Sequence, residues 1–165
     1  MKLFLLIVCF LGFFSLNYSQ KEKETLFNQI YENFEKAEIT KTIALMNFYQ
    51  LTQMADRLTK DETLNPLVEQ ASKAVFERFG DGPDDTALIM DKCRLFVSQF
   101  LAELGVNLEN EELTSILNQL SKDGISIEEK EIKELVKHIF QAYGTLIQKE
   151  IEERESNVRT KHEEL

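Results

Sequence analysis

An all-α bundle of about five to six helices, ending in one long helix and a solvated tail, is the fold class that three features of this chain predict. Six glycines and two prolines are all that punctuate 165 residues, and so few breakers leave long helices uninterrupted. Apolar residues recur at three- and four-residue spacing along most of the chain, the period of a helix that buries one face. No strand-like alternation or hairpin turn competes with that period, and no internal repeat is visible.

Residues 1–19, MKLFLLIVCFLGFFSLNYS, stand apart. One lysine precedes an uncharged run from Leu3 to Leu16, well short of the roughly 20 residues that span a bilayer core. A positive start, a short apolar stretch and small residues near its end predict a secretory signal peptide cleaved after Ser19. An uncleaved signal anchor is the alternative. No other stretch is apolar enough to span a membrane, so none is expected after cleavage.

The predicted domain covers residues 20–151. Leu26, Phe27, Ile30, Tyr31 and Phe34 form the first amphipathic face. The phase weakens after Glu35, and Thr40 is placed to cap a second helix carrying Ile43, Met46, Phe48, Tyr49 and Leu51; a single helix through both is the other reading. Asn65 and Pro66 form a start signal, an acceptor for free N–H groups followed by a residue that loses no bond at the first helical position. That helix carries Leu67, Val68, Ala71, Val75 and Phe79 and stops at Gly80.

After the loop GDGPDD, with Asp84 or Asp85 as cap, comes the strongest face: Leu88, Ile89, Cys93, Phe96, Val97, Phe100, Leu101 and Leu104, ended by Gly105. A shorter helix holds Leu113, Ile116, Leu117 and Leu120. The last helix starts near Ser126, and its stripe runs from Ile132 to Ile151, with Gly144 inside it to let a neighbour approach closely. Beyond Ile151 the apolar residues nearly cease, so residues 152–165 are expected to project as a charged, fraying tail supported by Glu150–Arg154 and Glu155–Arg159 pairs.

Net charge is −10, and no basic stripe offers a surface for phosphates, so nucleic acid is not an expected partner. Loss of residues 1–19 removes Cys9 and leaves Cys93 as the one cysteine. One cysteine cannot make a disulfide scaffold, and on an apolar helical face it reads as a buried, inert thiol.

The final residues His162, Glu163, Glu164 and Leu165 resemble the endoplasmic-reticulum retrieval signals of the Lys-Asp-Glu-Leu and His-Asp-Glu-Leu type. Glu163 departs from the aspartate of the commonest forms. The resemblance implies residence in the ER lumen and a retrieval receptor as a partner of the C-terminus. A secreted protein with an incidental tail is the alternative.

Two stretches between amphipathic helices, residues 81–92 and SKDGISIEE at 121–129, weakly resemble the loops of a degenerate EF-hand pair. The resemblance implies calcium as a possible ligand, with Asp81, Asp85, Asp123 and Glu129 as its candidates. The chemistry opposes it: an EF-hand loop needs twelve residues with oxygens at positions 1, 3, 5 and 12. The first stretch has Pro83 at position 3 and Lys92 at position 12, and the second is about three residues short. A helix stop at Gly124 and a capping box from Ser126 to Glu129 account for the second stretch without metal.

Catalytic signatures are absent from the sequence: no Cys-x-x-Cys, P-loop, nucleophile elbow or zinc motif. His138, four residues after Glu134, and His162 are the only histidines. The expectation is therefore a non-catalytic, soluble lumenal helical protein that acts by binding an unknown lumenal protein, in folding, trafficking or as a complex subunit. A calcium-binding or calcium-buffering protein and a secreted effector or antigen are the alternatives.

Overall fold

The computed structural model describes residues 25–82 and 85–163, with side chains up to residue 160; the predicted signal peptide and the last two residues lie outside them. Seven helices and one two-stranded sheet make up the described residues. Helix α1 spans residues 25–36 and buries Leu26, Ile30 and Phe34. It ends because Glu38 takes a left-handed backbone, φ 56°, uncommon for a residue with a side chain.

Helix α2, Ile39–Ala44, and helix α3, Phe48–Thr59, follow. The expected one or two helices up to Lys60 are thus three. Thr40 lies inside α2, and the cap that matters is Asn47: its side chain accepts from Gln50 N at 2.9 Å while Gln50 Oε1 accepts from Asn47 N at 3.1 Å. This reciprocal box satisfies two donors that the first turn of a helix leaves open.

Helix α4 runs Asp61–Phe79, so Asn65 is not its cap and Pro66 is not its first residue. Leu64 and Val68, four apart, are both buried, and this shared face carries the helix back past the proline. The Thr63 hydroxyl lies 3.0 Å from the carbonyls of Asp56, Arg57 and Lys60 and closes the corner between α3 and α4.

Strand β1, Ala87–Ile89, helix α5, Met90–Glu103, helix α6, Asn110–Leu120, strand β2, Ser126–Glu128, and helix α7, Glu129–Glu163, complete the chain. The strands pair antiparallel, with Ala87 opposite Glu128, Leu88 opposite Ile127 and Ile89 opposite Ser126. Leu88 and Ile89, expected in a helix, therefore belong to a strand, and Ser126 does not cap α7. The ladder stands where Asp85 and Ser126 were expected as caps, and Asp84 lies outside the described residues. Met90 N donates to Ile125 O at 2.9 Å and Glu129 N to Thr86 O at 2.8 Å, so the first N–H of α5 and of α7 is each satisfied by the other loop.

Helix α7 is the spine. At about 1.5 Å per residue its 35 residues reach roughly 50 Å, and α2, α3 and α4 all pack on it. One buried stripe, including Ile132, Val136, Ile139, Tyr143, Leu146, Ile147 and Ile151, faces them. Helix α1 lies along α7 in the same direction, Phe27 against His138 and Glu35 paired with Lys149 at 3.5 Å. Gly144 is where α3 comes closest: a Cβ there would stand 2.9 Å from Leu58 Cβ.

Among the described residues no helix is long and apolar enough to cross a membrane.

Candidate functional site

The two helix–loop–helix units, α4 to α5 and α6 to α7, meet through the β1–β2 ladder, with Leu88 and Ile127 buried as its central pair. This arrangement fixes the four carboxylates singled out in the sequence. In the first loop Asp85 turns its carboxylate back on the chain and accepts from the backbone N–H groups of Asp81 and Gly82, the latter at 2.9 Å. Asp81 is held in an ion pair by the ammonium of Lys92. The lysine thus supplies positive charge to the carboxylate at the first position of the loop.

In the second loop Asp123 accepts from Ile125 N at 2.8 Å and Ser126 N at 3.0 Å, with the Ser121 hydroxyl 3.1 Å away. The backbone N–H groups of Ser126 and Ile125 hold its carboxyl down at about 2, because they stabilise the anion. Gly124, at φ +71°, gives the chain the left-handed turn that brings them there. Glu129 pairs with Lys133 at 2.9 Å, and Lys133 reaches Glu69 of α4 at the same distance. Lys122 bridges Glu128 and Glu131 at 3.1 and 3.5 Å.

Asp81 and Asp85 thus belong to one loop, Asp123 and Glu129 to the other, and each carboxylate is engaged by its own chain. Among the described residues no group of three or more His, Cys, Asp or Glu side chains is placed to hold a metal ion. An open groove of about 810 Å³ runs between α4, the sheet and the start of α7. Asn65, Thr86, Ser126 and Glu134 line it, together with Lys133 and Lys137. Both lysines are paired, Lys133 as above and Lys137 with Asp61 at 3.6 Å.

His138 is buried, its Nε2 3.9 Å from Glu134 Oε2 and its ring edge-on to Phe27 at 6.2 Å between centroids. Cys93 is buried as well, and burial pushes its thiol up to about 11, far from the range in which a thiolate attacks at neutral pH.

The end of α7 departs from the reading of a tail without contacts. Ile151 is its last buried residue and residues 155–160 are all exposed, but Arg154 reaches back to the domain. Its Nη1 donates to Met46 O and its Nη2 to Ala44 O, both at 2.8 Å, while Nε donates to Glu150 at 2.6 Å. The fork caps the carbonyl end of α2. The helical backbone continues through His162 and Glu163; Glu164 and Leu165 lie outside the described residues.

Beside this fork lies a group of three exposed apolar side chains: Leu45 is 88% exposed, Tyr49 69% and Phe48 45%. Composition gave no sign of it, because these residues share the period of core neighbours such as Ile43 and Leu51. The signal that was available is an uncharged run from Thr42 to Ala55 in a chain that is 29% charged.

Comparison with models of protein families, with curated proteins and with solved structures gave no match.

Proposed function

We propose that this chain is an accessory protein of the ER lumen that acts by binding another protein, and that His162, Glu163, Glu164 and Leu165 are its retrieval signal. One observation carries the reading: α7 outruns its domain. Past Arg154 every side chain through residue 160 is exposed, so a receptor that reads a free peptide meets no packed neighbour there. Residues 155–160 have no buried side chain to release, and unwinding a helix end costs little.

The paired loops support a second element of the proposal. Two helix–loop–helix units joined by a two-stranded ladder resemble an EF-hand pair, and Lys92 on Asp81 together with the backbone donors on Asp123 supports a degenerate pair closed without metal. Calcium binding is the competing reading. Calorimetric titration separates the two: heat from a stoichiometric micromolar site would overturn the metal-free loops.

The retrieval reading is tested by fate in a secretory cell, with a tag placed just after Ser19. Retention of the native chain and secretion of a chain lacking residues 162–165 is the expected result. Equal secretion of both would overturn the retrieval signal and leave a secreted effector or antigen as the reading.

A further inference from the structure

Six residues make α2 too short to persist by itself, because isolated helices below about 12 residues are marginal in water. It buries two side chains, Ile39 and Ile43, while Thr40, Lys41, Thr42 and Ala44 are exposed. Its first turn has no side-chain cap and no acidic residue. Its entry is strained. Glu38 sits at φ 56°, ψ 29°, the left-handed region that disfavours a residue with a Cβ.

What closes α2 comes from elsewhere in the chain. Arg154 of α7 donates through Nη1 to Met46 O and through Nη2 to Ala44 O, both at 2.8 Å, while Glu150 steadies the guanidinium at 2.6 Å. Glu35, just before α2, pairs with Lys149 at 3.5 Å. The two contacts bracket α2 against the turn of α7 that carries Ile151, the last buried residue of that helix. Thr42 adds a contact with the turn after α5, its Oγ1 3.6 Å from where a Cβ on Gly105 would stand.

We infer that α2 is a strap that opens as a unit about Glu38 and Asn47, with Arg154 as its latch, and that its opening is coupled to the unwinding of α7 past Arg154. The fork reaches both carbonyls only while the turn of α7 that carries Arg154 is wound. Unwinding through that turn releases α2 and uncovers Ile39 and Ile43. Release of α2 in turn takes away the acceptors that hold the turn, a reciprocity that any linkage between two equilibria obeys. Unwinding that stops short of Arg154 leaves the latch shut. The inference does not rest on the retrieval signal, since every contact it uses lies before residue 155.

Hydrogen exchange of the purified protein, read by mass spectrometry over a series of low urea concentrations, tests it. Amides of residues 43–46 should exchange through a local opening, faster than those of Val68–Val75 in α4 and with little urea dependence. Arg154→Ala should speed exchange at residues 43–46 and 152–154 together, by about tenfold. Glu38→Gly should slow both sets severalfold, because glycine takes the left-handed region at no steric cost. Lys41→Ala, which removes only an exposed pair with Glu38, should leave both within about twofold. In the Arg154→Ala background, Glu38→Gly should still slow residues 43–46 but no longer residues 152–154. Circular dichroism checks that each variant folds.

Residues 43–46 exchanging with the rate and urea dependence of α4 would overturn the strap, because α2 would then open only with the whole domain. Unchanged exchange at residues 43–46 in Arg154→Ala would overturn the latch. An effect of Glu38→Gly on residues 152–154 that survives the loss of Arg154 would overturn the coupling.

Discussion

Arg154 and Met46, 108 positions apart in the chain, are joined by a hydrogen bond of 2.8 Å from the guanidinium to the backbone carbonyl. The second arm of the same fork takes Ala44 O, so a side chain near the end of α7 terminates α2.

Removing the fork should loosen the corner without unfolding the domain. Charge-assisted hydrogen bonds contribute about 1.5–3 kcal/mol each when desolvated, and this site is partly open to water, which replaces part of the loss. Arg154→Ala is expected to lower unfolding stability by about 1–2 kcal/mol in urea denaturation. Arg154→Lys should recover only part of it, because one ammonium cannot serve two carbonyls as a planar fork does. A lysine variant as stable as the native chain would show that charge alone matters.

Gly144 should resist even the smallest enlargement. Alanine gains about 1 kcal/mol in helix propensity, but its Cβ would stand 2.9 Å from Leu58 Cβ and 3.3 Å from the Leu58 carbonyl. Overpacking of this kind costs about 1–3 kcal/mol, and the obstacle is largely backbone. Gly144→Ala is expected to destabilise, and Leu58→Ala should not rescue it, because that change leaves Cβ and carbonyl in place. Thermal melts of the single and double variants check this.

Cys93 should be silent to alkylation in the folded protein at pH 8 and react on addition of urea, read by mass spectrometry at that residue. The sign of its pH dependence follows from burial, which raises the thiol to about 11. The native state favours the neutral form, so the stabilisation is complete below the ordinary value near 9 and is lost as pH rises through about 11. Tyr143 is shifted upward by burial too. Stability is expected to fall from pH 9 upward, less steeply in Cys93→Ala.

Asp123 should govern part of the acid limb. Its carboxyl is depressed to about 2, so its stabilisation is present above the ordinary value near 3.8 and disappears as pH falls through about 2. Asp123→Ala should melt lower at neutral pH and lose less between pH 4 and pH 2 than the native chain. Asp123→Asn, which keeps an acceptor oxygen without the charge, should fall between them. Parallel melting curves for all three across that range would refute the assignment.

The stripes of α5 and α7 were legible from the sequence because burial repeats with the helical period: Cys93, Phe96, Val97 and Leu101 are all buried, as are Ile132, Leu135, Val136, Ile139, Tyr143, Leu146, Ile147 and Ile151. The strands were not. Leu88 and Ile127 each fit a neighbouring helical stripe, and what makes them strands is pairing across the fold. Asn65-Pro66 misled because a local start signal was outweighed by the face shared by Leu64 and Val68. Arg154 was visible as a partner of Glu150, a pair that does form, but its two other bonds depend on where α2 ends in space. The residues of the proposed retrieval signal were read as letters, and folding adds only the exposure of residues 155–160 that precede them.

The spine is also made after the helices that pack on it. Helices α2, α3 and α4 pack on α7, yet residues 80–128 must be synthesised between the end of α4 and the start of α7, roughly 2–10 s at 5–20 residues per second. During that interval Ile43, Leu51 and Leu64 have no α7 to cover them. A chain built in this order delivers its apolar faces before their lid. Truncation of α7 before Ile151 would leave the earlier helices without part of the surface that organises them.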